Sequence, residues 1–384
     1  LKPFCLKCRR YRSYHFLLLW SSKRDHFQMA STAFSLTAGG KAGAVISIGA
    51  VFIAKFLHDV QKIRFPPTVL DLETNEEYQE VRPFSDMVQH VLLFRYIRRL
   101  VGDGWFFQRV LVNLNAQFQT WDVPFVDQGK DPEIEVLNFC KHWGVPLEPW
   151  QWSKPASSYE TMNEWFTRLY TDAFSPENNL GGAAIVSPAT SKVTWFSNTR
   201  SMPTQLKNDD FTINDVGIPE YEQYLSFPAA LAYLAPADYH CYHSPISGTI
   251  TACELLNQDR YSVSVKEYIF PEVNILTRNR RAILVVESQD SSHGGVPLRV
   301  ALVIVGGVTV DSIRLSAGIF AGANVSKGQL LGSFARGGSS LAILFNRDVR
   351  LVPSAQAACN AGFDFKLRVG QSLAELSSVE LLSK

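Results

Sequence analysis

The chain has 384 residues, 46% of them hydrophobic and 19% charged, and its 37 basic residues against 36 acidic ones leave a net charge of +1. That length supports one large domain or two ordinary ones, with a composition that points away from disorder outside the termini. The charge balance leaves no excess to neutralise a phosphodiester backbone, so the sequence points away from nucleic acid.

In chain order, residues 1–24 carry seven Lys or Arg and no acid, the composition of a transit peptide, although the first residue is Leu and Met29 offers another start. Between Lys41 and Lys55 lie thirteen apolar or small residues, AGAVISIGAVFIA. This is short of the ~20 that a bilayer-spanning helix needs, and reads either as an interfacial or targeting segment or as a core helix. Residues 1–57 therefore form a first segment that is targeting or membrane-associating. From Phe84 to Phe118 apolar residues recur at helical spacing, as in MVQHVLLFRYIRRLV, and again in DPEIEVLNFCKHWGV, so residues 58–180 read as a helical region. After Leu180, short β-branched runs such as KVTWF, GTITA, AILVVES and RVALVIVGGVTV alternate with Gly, Asn, Ser and Pro, and residues 181–384 read as a β-rich domain.

The expected fold is α+β, a helical N-terminal region followed by a β-rich sheet or barrel-like catalytic domain. The sequence holds no fixed-period repeat, dinucleotide fingerprint or Walker loop. Six cysteines include one CxxC, Cys5 and Cys8, and no second pair to complete a zinc site, so free thiols and no metal are expected.

Three stretches carry candidate chemistry. In Ala237-Asp238-Tyr239-His240-Cys241-Tyr242-His243-Ser244-Pro245, a regular strand would turn His240 and His243 to opposite faces. The pair reads as a polar strand end, as a metal half-site with Cys241, or as a catalytic pair. Gly337-Gly338-Ser339-Ser340 lies between LLGSFA and LAILF, so it reads as a tight glycine turn between buried strands where the backbone can approach another group closely. In RNRRAILVVES, Arg278, Asn279 and Arg281 form either a solvated rim or a holder for a carboxylate or phosphate.

Taken in order, Asn163-Glu164-Trp165-Phe166-Thr167-Arg168, Val186-Ser187-Pro188-Ala189, the DYHxxHSPxxGTI stretch, Arg278-Asn279-x-Arg281, VGGVTVDSI and VSKGQLLGSFARGGSSLAILF resemble the pyruvoyl-dependent phosphatidylserine decarboxylase family from about residue 130 to the end. The Gly-Gly-Ser-Ser tetrad looks like the endomembrane and bacterial soluble-type branch, which weighs against a transit peptide. The resemblance implies cleavage between Gly338 and Ser339: the serine attacks the Gly338 carbonyl, the ester eliminates, and loss of ammonia leaves a pyruvoyl group on a 46-residue α chain beginning at residue 339. That self-made ketone is the implied cofactor. It would form a Schiff base with phosphatidylserine and release CO2 and phosphatidylethanolamine.

By the same resemblance His243 is the self-cleavage base, His240 serves the substrate carboxylate and reprotonation, and Arg278, Asn279 and Arg281 bind substrate. The implied partners are a phospholipid at a membrane surface and the chain's own α and β fragments, with a homodimer compatible. The implied location is a membrane, an endomembrane in first place and the mitochondrion as the alternative.

Two positions depart from the family pattern. Thr190 stands where an aspartate orients the cleavage histidine, and a neutral hydroxyl cannot stabilise an imidazolium as a carboxylate does, so slow self-cleavage is expected. Asp238, Asp209 or Asp210 could substitute. Asp311 stands where glycine is usual. The alternatives are a pyruvoyl-dependent aromatic amino-acid decarboxylase, an uncleaved inactive homologue that binds lipid, and a biotinyl or lipoyl carrier, the last weakened by the lack of a lysine in a suitable hairpin.

Overall fold

A computed structural model describes residues 56, 68–78, 120–145, 148, 151–200, 202, 212–256, 275–289, 296–307, 313–335 and 339–377. Its strands, in chain order, are β1 (Val69–Asp71), β2 (Glu76–Tyr78), β3 (Ile185–Val186), β4 (Ser191–Phe196), β5 (Ala229–Leu234), β6 (Cys241–His243), β7 (Gly248–Leu256) and β8 (Arg281–Glu287). They continue with β9 (Arg299–Gly306), β10 (Ile313–Leu315), β11 (Asn324–Val325), β12 (Leu330–Phe334), β13 (Ser339–Phe345), β14 (Val349–Leu351), β15 (Asp364–Leu367) and β16 (Ser372–Leu376). The helices are α1 (Pro132–Trp143), α2 (Met162–Phe166), α3 (Ile275–Arg278) and α4 (Pro353–Asn360).

The main sheet has ten strands in the order β11-β7-β8-β9-β13-β5-β4-β15-β1-β2, antiparallel except where β1 runs parallel to β15. Its middle strands are apolar along their whole length because both faces are covered. The pleat sends alternate residues to opposite sides. In β13, Leu341, Ile343 and Phe345 enter one core while Ala342 and Leu344 enter the other, and β9 divides its residues in the same way. The first core is backed by two three-stranded sheets, β10-β12-β6 and β14-β16-β3, and by α4. The second is closed by α3 and the turns over residues 213–224. A third core, rich in aromatics, gathers Phe125, Val136, Trp152, Tyr159, Trp165 and Phe166 around α1 and α2.

Sequence and structure agree that the C-terminal half is sheet-rich. The described strands form an open sheet with edges at β11 and β2, so barrel closure is not seen among them. The helix read over DPEIEVLNFCKHWGV is α1, started by Asp131, whose carboxylate accepts from the Glu133 and Ile134 N–H groups, and ended at Gly144 with φ 69°. The region read as helical also holds the β1–β2 hairpin, whose three-residue strands are too short to show a period, and the β-rich half holds α4. The leader, MVQHVLLFRYIRRLV, YSVSV, Cys5, Cys8, Asp209, Asp210 and Asp311 lie outside the described residues.

The glycine tetrad was expected to be a tight turn between two buried strands, and the flanking β12 and β13 are largely buried. The first of them pairs with β6 and β10 in one sheet, while β13 pairs with β5 and β9 in another. Residues 336–338 lie outside the described residues. A cut immediately before Ser339 would leave β13 hydrogen-bonded on both sides, from Ser339 to Leu344 against β5 and from Ser339 to Phe345 against β9.

Candidate active site

Ser339 opens β13 and has no exposed surface. Leu234, the last residue of β5, lies opposite it on one side and Gly306, the last of β9, on the other. The chain leaving β5 turns back at once: the Ala235 carbonyl accepts the Asp238 N–H at 2.8 Å, and the Asp238 Oδ2 accepts the Ala235 N–H at 2.8 Å. This closed turn returns His240 to the end of the strand it has just left. The His240 Nδ1 lies 3.2 Å from the Ser339 Oγ and its Nε2 lies 3.1 Å from the Ala235 carbonyl oxygen.

A carbonyl can only accept, so Nε2 carries the proton and the Nδ1 lone pair faces the serine hydroxyl. Phe166 stacks on the imidazole with ring centres 3.9 Å apart. Burial and the neighbouring Arg168 guanidinium push the His240 pKa down to about 3, against backbone hydrogen bonds that raise it. The ring is therefore a neutral acceptor at ordinary pH.

His243 points elsewhere. Its Nδ1 donates to the Gly328 carbonyl at 2.8 Å, and its Nε2 accepts from the Tyr239 hydroxyl at 3.2 Å. Gly328 makes that contact with φ +83°, and a Cβ there would meet Leu180, so the turn requires glycine. Burial lowers His243 to about 4 and raises Tyr239 well above the usual phenol value, which keeps the Tyr239 proton available to donate. Cys241, between the histidines, has its thiol near the Thr167 and Arg168 carbonyls at 3.7 and 3.9 Å, and burial pushes its pKa up to about 12. A thiol held protonated is neither nucleophile nor metal ligand.

The family resemblance assigns self-cleavage to His243, but in the structure it is His240 that contacts Ser339. The expectation that the two histidines would lie on opposite faces of one strand does not apply, since β6 begins only at Cys241 and His240 sits on the preceding turn.

Thr190 is buried, and its Oγ1 accepts the Val369 N–H at 3.2 Å. Of the acids that could replace the missing carboxylate, Asp238 binds the Lys366 Nζ at 2.6 Å, and it reaches His240 only through the Ala235 turn. Burial opposes the Lys366 charge, but Asp238 together with Tyr78 and Asp71 outweighs it and raises the lysine pKa.

Asn279 and Arg281 sit beside the serine in supporting positions. The Asn279 Nδ2 donates at 2.8 Å to the carbonyl of Gly306, the residue opposite Ser339. Arg281 donates to the carbonyls of Asp215, Val216, Thr277 and Asn279, tying α3 to the preceding turn. Arg278 contributes backbone to α3.

Sequence reading gave no role to Phe166, Arg168, Tyr239, Lys366 or the Ala235 and Gly328 carbonyls. A buried arginine in an aromatic run was the one available signal. Carbonyl partners leave no trace in residue identity.

A family profile described as Phosphatidylserine decarboxylase matches residues 162–375, more than half of the chain. The chain is 28% identical over 232 residues to the phosphatidylserine decarboxylase proenzyme of Chlamydia trachomatis, covering 58% of this chain and 71% of that one. It is 26% identical over 245 residues to the proenzyme of Bacillus thuringiensis, covering 63% and 88%. Against phosphatidylserine decarboxylase proenzyme 2 of Komagataella phaffii it is 28% identical over 223 residues, 56% of this chain but only 21% of that much longer protein.

Proposed function

Because the chain belongs to the phosphatidylserine decarboxylase family, we propose that it is a proenzyme that cleaves itself between Gly338 and Ser339 and then decarboxylates phosphatidylserine at a membrane surface. The observation that carries this reading is the 3.2 Å approach of an unprotonated histidine nitrogen to the hydroxyl of a wholly buried serine at a strand end.

His240 accepts the Ser339 proton as the oxygen attacks the Gly338 carbonyl carbon. The peptide C–N bond then breaks, with the acyl group passing to oxygen and the imidazolium returning its proton to the leaving nitrogen. The Ala235 carbonyl takes the place that a carboxylate holds in a triad, fixing the tautomer through Nε2–H. A carbonyl dipole stabilises the resulting imidazolium less than a full charge does, so maturation is slow rather than absent. The site fits the pyruvoyl group implied by the family, since the new N-terminus would remain held in β13 between β5 and β9. When formed, that group supplies a ketone that binds the substrate amine and accepts electrons as CO2 departs. Around it His240, shielded by Phe166, can hold or deliver a proton, and the apolar wall excludes water.

Membrane association draws support from the surface. Of the nine exposed large hydrophobic residues among those described, Val123, Val126, Ile134, Leu137, Leu169 and Phe174 all fall in the segment that contributes Phe166 to the site. Among the described residues no helix is long and apolar enough to cross a membrane.

The test is a time course of α-chain release with CO2 release assayed from phosphatidylserine and from free aromatic amino acids. The expected result is a short chain with a blocked N-terminus from the wild type, none from Ser339→Ala, release slowed about 10²–10⁴-fold in His240→Asn, and turnover of the lipid. Release unaffected by His240→Asn assigns the base elsewhere. Turnover of amino acids alone excludes the lipid reading.

A further inference from the structure

The aromatic core beside His240 contains a cation that forms no ion pair among the described residues. Arg168 is 5% exposed, and its guanidinium lies over the rings of Trp165 and Trp152, 4.5 and 5.5 Å from their centres. The Nε of Arg168 makes no hydrogen bond. Two further buried donors in the same cluster are also unsatisfied, the Trp165 Nε1 and the Tyr159 hydroxyl, the latter with Ser153 alongside but not in hydrogen-bonding geometry. Nearby acids are engaged elsewhere: Glu164 with Lys154 and the Glu160 N–H, and Asp238 with Lys366 and the Ala235 N–H.

A buried guanidinium without an anion is costly, and each unsatisfied donor adds to that cost. Three buried donors and one positive charge within one cluster are complemented by an anion with several acceptor oxygens. The location ties this cluster to the catalytic centre. Phe166, two residues before Arg168, stacks on His240, and the Cys241 thiol approaches the Arg168 carbonyl. The cation is also felt at the imidazole, whose proton affinity it lowers.

We propose that Arg168, Trp165 Nε1–H and Tyr159 O–H form a buried subsite for the phosphodiester of the substrate. This inference rests on the lipid-decarboxylase reading for its choice of anion. An ion pair with the reacting carboxylate would stabilise the charge that decarboxylation must remove and so raise the barrier, whereas a phosphodiester keeps its charge throughout the reaction. The same arginine then anchors the headgroup and excludes substrates that lack a phosphate.

The experiment measures binding without turnover. Full-length Ser339→Ala protein, which cannot form the ketone, is titrated calorimetrically with glycerophosphoserine, glycerophosphoethanolamine and L-serine, and its thermal midpoint is followed with each. Both phosphate-bearing probes are expected to bind and raise the midpoint, and L-serine is not. Arg168→Met should weaken binding about tenfold or more. Trp165→Phe and Tyr159→Phe should each weaken it several-fold; Tyr159→Phe keeps its ring and should not lower the midpoint of the free protein, whereas Trp165→Phe also shrinks a fully buried side chain, so its binding is read against its own free-protein midpoint. Undiminished binding in Arg168→Met and Trp165→Phe, no binding of either phosphate probe, or L-serine binding as tightly as glycerophosphoserine would each overturn the assignment. Because no cleavage or CO2 release is read, a failure here is separable from a failure of the decarboxylase reading.

Discussion

Acidification from pH 7 to pH 5 should destabilise the fold through the two buried histidines. Above the unfolded value of 6.5 both rings are neutral in both states and contribute nothing to the pH dependence. Below it the unfolded chain takes up protons that the folded chain refuses, until pH reaches the folded values of about 4 for His243 and about 3 for His240. Stability therefore falls as pH falls through this window. At pH 5 each ring costs about 2 kcal/mol relative to pH 7, or about 4 kcal/mol together, a large share of the roughly 5–15 kcal/mol that stabilises an ordinary domain. The assay is urea unfolding of the uncut Ser339→Ala protein at pH 7, 6 and 5, with His240→Asn and His243→Gln each expected to remove about half of the pH dependence. Equal stability at pH 7 and 5, or histidine proton resonances titrating near pH 6.5 in the folded protein, would refute the argument that burial and Arg168 keep these rings neutral.

Asp238→Asn should cost about 2–3 kcal/mol, since it strips Lys366 of a carboxylate 2.6 Å away; the side chains are 5% and 22% exposed, which places the pair below the full buried-pair value. It should also slow α-chain release by loosening the Ala235 turn, and a double-mutant cycle with Lys366→Met, read by urea midpoint and cleavage rate, would show no coupling if the pair were only a surface contact. Thr190→Asp discriminates between the histidines: with His240 as base, cleavage should stay within a few-fold of wild type while the buried carboxylate lowers the thermal midpoint, whereas a large acceleration would return the cleavage role to His243.

Strand interiors were legible because they depend on near neighbours in the chain. LAILF, AILVV and VALVIV are apolar at every position, which is the composition of strands covered on both faces, and they form the centres of β13, β8 and β9. Asp131, Pro132 and Gly144 marked the ends of α1 by side-chain and backbone preferences that act within one turn. The short strands β1 and β2 escaped because three residues carry no usable period, and their place in the sheet comes from pairing with β15, almost 300 residues away.

The site itself was decided by tertiary structure. His240 and His243 are both short-range neighbours in sequence, and nothing in residue type tells which will face Ser339, 99 positions from His240. That choice is made where β5 ends opposite Ser339 and Asp238 closes the turn that carries His240 back to it. The sequence likewise contains Arg168, but not the fact that its guanidinium lies over two tryptophan rings while Glu164 and Asp238 are engaged elsewhere. Propensity and periodicity are local properties of the chain. Which lone pair meets which hydroxyl, and which charge is left without a partner, depends on the packing of segments that the chain brings together only when it folds.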